Sequence, residues 1–319
     1  MSSQRVHSTE FTVSVAAPAG VVYGLLADAP RWPVFLPTHV HVERMDVGPA
    51  DFDGAEEHLR VWDVRADHVR SSVARRVLRP RSRSIEFEQS DAFLPDAPTS
   101  GAWTVEPEGE DRSLVTLRHD RPAAPGQTPA QLEADVRAQL AGVRETAEHW
   151  EKLDELLLSF EDSVHVEGPS ELVYDFLYRI EDWVELIPHV EWVGVTEDQP
   201  GVQVTALDSC ATETGETVTT EAVRLCFPHA GRIVYKETVT SELIAAHSGE
   251  WSLVPDEAGV RVVSAHHVML REEALPAVLG EGALLVDARR YVREWLGRAS
   301  TEALALAKWH AESAVRRLR

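Results

Sequence analysis

The chain is most informative first in what it lacks. It has no asparagine, and its only lysines are Lys152, Lys236 and Lys308, so nearly every positive charge is an arginine. That skew reflects coding composition and not physics. Positive charge is itself scarce: 31 Lys and Arg against 53 Asp and Glu give a net charge of −22. A nucleic-acid binder needs a basic footprint, so that class is excluded. Two cysteines, Cys210 and Cys226, are too few for a disulfide framework. No apolar stretch approaches the roughly 20 residues that span a bilayer, and no apolar leader opens the chain. The expectation is a cytoplasmic protein without a membrane role. The nucleophile-elbow, P-loop, zinc-protease and dinucleotide motifs are all missing. None of the 14 histidines has structural-zinc spacing with a cysteine, so no metal or redox cofactor is expected. Function has to come from a pocket.

What is present is a duplication. Val13–Val42 and Val164–Val193 say nearly the same thing at a constant shift of 151. Val13, Pro18, Val22, Tyr23, Leu26, Trp32 and Pro37 fall on Val164, Pro169, Val173, Tyr174, Leu177, Trp183 and Pro188. Further on the shift becomes 148: Pro80, Ile85, Phe87, Trp103 and His119 fall on Pro228, Ile233, Tyr235, Trp251 and His267. A fixed offset of this kind marks two copies of one fold. Each copy is long enough to bury its own core.

Each half opens on an alternating strand, then a short helix begun by Pro18 or Pro169 and a second stopped by Pro37 or Pro188. Six further strand-like runs follow, separated by Gly, Pro and Asp. A long helix closes each half, over 129–158 and 283–317. Strands followed by a terminal helix, without βαβ alternation, indicate an α+β fold.

The order Ala17-Pro18, short helix, Trp32-Pro33, Pro37 resembles the cyclase branch of the helix-grip, START/Bet v 1-like superfamily. It is most similar to the polyketide aromatase/cyclases of bacterial type II polyketide synthases, and the doubling resembles their di-domain subgroup. The resemblance covers essentially the whole chain. It implies two tandem helix-grip domains, 1–158 and 159–319. Each would be a curved antiparallel sheet of about seven strands wrapped on a long C-terminal helix around a cavity. It also implies a cofactor-free enzyme that folds a poly-β-keto chain, carries out first-ring aldol closure between C7 and C12, and dehydrates the ring. The substrate would be ketoreduced and tethered to an acyl carrier protein, with other synthase subunits as further partners. A non-catalytic carrier of an apolar ligand is the alternative, since one fold serves both.

The family's pocket arginine falls on Arg76 and Arg224, each four residues before a proline. Its pocket aromatic falls on His39 in the first half and Val190 in the second, with His189 adjacent. A fixed cation suits a developing oxyanion. A histidine suits proton transfer near neutral pH, and His119 and His267 are the matched candidates on the last strand. His266 and His267 point to opposite faces, so only one turns inward. Trp32, Trp103, Trp183 and Trp251 read as core or as cavity wall against a flat chain. Trp62 has no matched partner and would distinguish the two pockets. Both arginines are equally compatible with a solvent-facing strand. Asp135 and Asp287 on the long helices are further acid/base candidates or merely solvated charges. Arg75, Arg79, Arg81 and Arg83 form a basic cluster that would dock an acidic carrier, or else is a solvated strand edge.

Overall fold

A computed structural model describes residues 6–48, 54–65, 68–91, 94–122, 129–210 and 217–317. The chain divides into two units, Met1–Leu153 and Asp154–Arg319. The division precedes a strand that a boundary at 158/159 would cut.

The first unit runs β1 (Val6–Val15), α1 (Ala19–Ala27), α2 (Trp32–Phe35), β2 (His39–Val47), β3 (Ala55–Arg65), β4 (His68–Arg79), β5 (Ser84–Asp91), β6 (Leu94–Pro107), β7 (Ser113–Pro122) and α3 (Pro129–Glu148), and α4 (Leu153–Leu156) spans the division. The second repeats the plan as β8 (Leu157–Val166), α5 (Ser170–Tyr178), α6 (Trp183–Leu186), β9 (Val190–Gln199), β10 (Val202–Cys210), β11 (Thr217–Phe227), β12 (Arg232–Val239), β13 (Ile244–Asp256), β14 (Gly259–Leu270), α7 (Leu275–Leu279) and α8 (Leu285–Arg317). Each sheet has seven strands, ordered β1-β7-β6-β5-β4-β3-β2 and β8-β14-β13-β12-β11-β10-β9. Every pairing is antiparallel, as hairpins joined by short turns require. These are tandem α+β helix-grip units, as the sequence pattern indicates.

Two elements differ from expectation. The helix expected over 129–158 stops at Glu148, and residues from Leu157 onward join the sheet. Helix propensity in the run LDELLL loses to edge pairing of β8 with β14, which buries Leu158. The short helix α7, with Pro276 in its first turn, was not foreseen.

Burial explains why α1 and α5 lie where they do. Val22 and Leu26, and their equivalents Val173 and Leu177, are at most 2 % exposed. Each such side chain contributes about 1.5–3 kcal/mol. The inner face of the second sheet packs Ile233, Trp251, Leu253 and Val262 against Ala303, Leu304, Ala307 and Ala311 of α8. These alanines let the helix approach closely. Among the described residues no helix is long and apolar enough to cross a membrane.

Candidate functional site

Arg76 on β4 and Arg224 on β11 both turn inward, 3 % and 4 % exposed. The solvent-facing alternative is therefore wrong for both. Each guanidinium ends on the last turn of the first helix of its unit. Arg76 donates from Nη1 to Leu26 O and from Nη2 to Ala27 O, both at 2.9 Å. Arg224 donates from Nη2 to Leu177 O, and from Nη1 to Tyr178 O at 3.4 Å. A cation there satisfies orphan carbonyls and faces the negative end of the helix dipole.

The twins differ in what lies across the strand. Arg76 is in register with Glu57, which is itself 3 % exposed, and ion-pairs with it through Nε at 2.9 Å and through Nη2. Arg224 is in register with Gln203, whose Oε1 accepts from Nη1 at 2.7 Å. Of five guanidinium N–H groups, Arg76 has one without a partner among the described residues and Arg224 has two. Arg224 also has no carboxylate hydrogen-bonded to it there. Burial lowers the pKa of both, and Glu57 opposes this only for Arg76.

Around Arg76 the structure gathers two more expected residues. Trp32 lies under the guanidinium at 4.8 Å, and His39, 4 % exposed, meets Trp32 edge-on at 5.2 Å. Trp32 donates from Nε1 to Leu25 O at 3.3 Å, and Trp183 makes the matched bond to Phe176 O at 3.1 Å. Both tryptophans therefore pin the first helix as well as lining the interior. The hydroxyls of Tyr23 and Tyr174, the duplicated tyrosines, are buried without a hydrogen-bond partner among the described residues. Burial raises both pKa values, while Arg76 and Arg224 pull them back down. The repeat exposed this pair, but nothing in the sequence marked it as functional.

The second inner face carries a polar cluster that sequence reasoning missed. Tyr235 on β12 is in register with Arg224 and so shares its face. Its Oη lies 3.1 Å from His266 Nδ1 and 3.5 Å from His247 Nε2. His247 Nε2 and His266 Nδ1 are 3.1 Å apart, and Ser264 Oγ lies 3.1 Å from His266 Nε2. The Glu237 carboxylate stands 2.8 Å from His247 Nδ1, close but off the N–H direction. Phe160 stacks on His266 at 4.7 Å, and Arg293 of α8 covers Phe160 at 4.3 Å. Beyond Arg293, between β8 and α8, lies an open groove of about 730 Å³ that also includes Asp162 and Gly297. Burial, then His247, Arg293 and His267, hold the His266 pKa down at about 3, so its ring is neutral. Burial and Glu237 raise the pKa of Tyr235 while Arg224 lowers it, and the phenol stays protonated.

The other expected residues fall as follows. His119 on β7 faces inward against Phe87 at 5.4 Å. Its counterpart is not His267. His119 pairs with Thr9 and Gly101, whereas His266 pairs with their equivalents Phe160 and Gly249. His267 lies exposed on the opposite face, with Nδ1 3.0 Å from Ser159 Oγ. Between the matched pairs Pro107–Ser113 and Pro255–Val260 the second hairpin is one residue shorter, and a slip of one residue changes the face. Trp62 also falls on the face opposite Glu57 and Leu59, packing on His41 at 5.4 Å, so it does not line the interior with Arg76. Trp103 and Trp251 are buried on the inner faces, 9 % and 7 % exposed. His189 pairs with Glu302 of α8 at 3.0 Å, away from the Arg224 cluster's hydrogen bonds. Asp287 accepts from Leu284 N at 3.1 Å and pairs with Arg290, which marks it as a helix-terminal group. The side chain of Asp135 lies outside the described residues.

Two helix-grip units, each closing an inward-facing arginine and a histidine between sheet and helix, define a tandem small-molecule-handling protein. Comparison with known proteins narrows this class. A family described as "Polyketide cyclase / dehydrase and lipid transport" matches residues 6–148, and a second family of the same description matches residues 166–290. The granaticin polyketide synthase bifunctional cyclase/dehydratase of Streptomyces violaceoruber is 34 % identical, over 99 % of this chain and 97 % of that protein. The actinorhodin counterpart from Streptomyces coelicolor is also 34 % identical, over 95 % and 96 %. The crystal structure of the di-domain ARO/CYC StfQ from the steffimycin biosynthetic pathway is 31 % identical. It superposes with a TM-score of 0.83, covering 96 % of this chain and 99 % of that one. The chain belongs to the di-domain polyketide aromatase/cyclase family, and it is a polyketide cyclase/dehydratase enzyme.

Proposed function

We propose that the enzyme takes a ketoreduced poly-β-keto chain on an acyl carrier protein, closes its first ring between C7 and C12, and removes water to aromatise it. The observation that carries this reading is the shared inner face of the second sheet. It sets a buried cation with unused donors, Arg224, beside phenols and imidazoles.

In the aldol step an enol carbon attacks a ketone, and the ketone oxygen gains negative charge. The two N–H groups of Arg224 and the Tyr174 hydroxyl that have no partner among the described residues would receive it. A fixed donor of this kind stabilises such a charge by about 3–4 kcal/mol. Holding the reacting carbons together supplies much of the rest. Arg224→Lys is expected to lower the cyclisation rate about 10²-fold with the fold intact, since lysine lacks the fork that reaches helix and substrate together.

The carrier would meet the cluster near the β4–β5 turn. Arg75 is forked onto Glu56 at 2.7 and 2.5 Å, and Arg79 pairs with Glu86 at 3.3 Å. Part of the positive charge on this surface is thus already matched by carboxylates. Reversing Arg79 and Arg81 to glutamate should raise KM for carrier-bound substrate and leave a carrier-free analogue unaffected. An unchanged KM would remove this surface from the account.

The direct test incubates the purified chain with a carrier-bound ketoreduced chain and determines ring connectivity by isotope-labelled NMR. A C7–C12 aromatic product is expected. Tight binding of the chain with no product, the transport alternative, or a different connectivity would overturn the reading.

A further inference from the structure

The duplication supplies an internal comparison. At the positions of Tyr235, His247, Glu237 and Ser264, the first domain has Phe87, Thr99, Gln89 and Leu117, by strand register. Only His266 keeps its chemistry, as His119. Every other polar member of the cluster has an apolar or non-titrating counterpart. Yet the geometry that admits a large ring is conserved. A Cβ at Gly249 would sit 2.4 Å from Tyr235 Oη, and one at Gly101 would sit 2.7 Å from Phe87 Cζ. Each glycine leaves its aromatic side chain lying across the neighbouring strand. In the second domain that ring carries a hydroxyl to the two histidines.

On the cyclase/dehydratase reading above, we propose that water is lost in the second domain, with His247 as the base and Tyr235 as the acid. Glu237 and His266 are positioning residues. The Glu237 carboxylate, 2.8 Å from Nδ1, attracts a proton to that nitrogen by its charge and not through an aligned hydrogen bond, which leaves Nε2 unprotonated. Tyr235 Oη is 3.5 Å from Nε2, a separation that suits an α-hydrogen and a β-hydroxyl on adjacent carbons, and His266 Nδ1 lies 3.1 Å from the same nitrogen. In the step, His247 Nε2 takes the α-proton and the C–H electron pair becomes the new C=C bond. The C–O bond breaks as the leaving hydroxyl takes the phenolic proton of Tyr235 and departs as water. The imidazolium, facing Glu237, then returns its proton to the phenolate, so both groups end as they began. No oxidant, metal or second substrate enters the balance. His266 stacks on His247 at 5.3 Å and contacts Tyr235, fixing both in place. The first domain, with Phe87 and Thr99 there, has no acid to give and no base to receive at these positions. Its share is to hold and bend the chain.

The test uses the full chain and a preformed β-hydroxyketone ring on a pantetheine thioester, with and without deuterium at the α-carbon. Tyr235→Phe and His247→Gln should each lower kcat for dehydration by about 10²-fold or more, with KM little changed. A primary isotope effect on kcat is expected in the wild type. Glu237→Gln should lower kcat by less, with KM unchanged, a split that loss of packing alone does not produce. Dehydration at the wild-type rate by Tyr235→Phe would overturn the assignment. That variant restores the residue of the first domain and so decides the matter even if His247→Gln fails to fold. If the wild type leaves both the linear chain and the preformed ring untouched, the functional reading itself fails. If it dehydrates the ring and the variants do so equally well, only the present assignment fails.

Discussion

Arg76 and Arg224 are the same residue in two electrostatic settings. Removing Arg76 strands Glu57, a buried carboxylate that would keep only the contact with Arg44 at 2.8 Å. Breaking a buried pair in this way costs about 3–5 kcal/mol. Removing Arg224 strands two carbonyls just as removing Arg76 does, but across the strand it strands only the neutral Gln203, a cost of about 1–3 kcal/mol for that group. Denaturant midpoints of Arg76→Ala and Arg224→Ala should therefore differ clearly, with Arg76→Ala the less stable. Equal losses would contradict the pairing described. His266 makes a second case. It is neutral in the folded state down to about pH 3, whereas an unfolded histidine takes a proton below about 6.5. The unfolded chain thus binds more protons as pH falls through that window, and stability is lost. By pH 5 the loss from this residue is about 2 kcal/mol. The groups facing it are His247, Tyr235, Ser264, Phe160 and Arg293. Comparing pH 7 with pH 5, His266→Gln should lose less stability than the wild type, whereas exposed His267→Ala should lose as much.

Single turns explain what the sequence could and could not reveal at the scale of elements. The strands, the paired short helices and the terminal helix were legible because hydrophobic alternation and proline positions repeat at a fixed offset. The inward arginines were legible because two copies agreed. The facing histidine was not, because a hairpin one residue shorter moves the counterpart of His119 from His267 to His266. Nor was the Tyr235 cluster, whose members lie on β12, β13 and β14 and meet only through the register of three strands. Trp62 attracted notice as an unmatched aromatic, but parity along β3 places it on the wrong face. The long helix expected to reach Leu158 ended early because sheet pairing outweighed local propensity. Gly249 tests this level directly. Gly249→Ala puts a Cβ 2.4 Å from Tyr235 Oη and 2.5 Å from Ala265 O. The expected cost is about 1–3 kcal/mol, with dehydration falling further than stability explains because the phenol is displaced. A variant as stable and active as the wild type would show that the ring does not need this position.

The whole molecule is a duplicated fold whose copies have kept a scaffold and diverged in chemistry. Both retain the arginine under the first helix, the tryptophan pin and the buried tyrosine. The first neutralises its arginine with Glu57 and lines its inner face with Phe87 and Leu117. The second has no carboxylate hydrogen-bonded to its arginine among the described residues, and adds a histidine, a phenol and a carboxylate. One variant of the full chain probes the division most directly: Tyr235→Phe, Glu237→Gln and His247→Thr together, which give the second domain the residues of the first. Its products from a carrier-bound chain, compared with the wild type by mass, should shift from the aromatic compound to a cyclised, non-aromatic ring that keeps the water aromatisation would have removed. Undiminished formation of the aromatic compound by the folded variant would contradict a dehydration centre in the second domain.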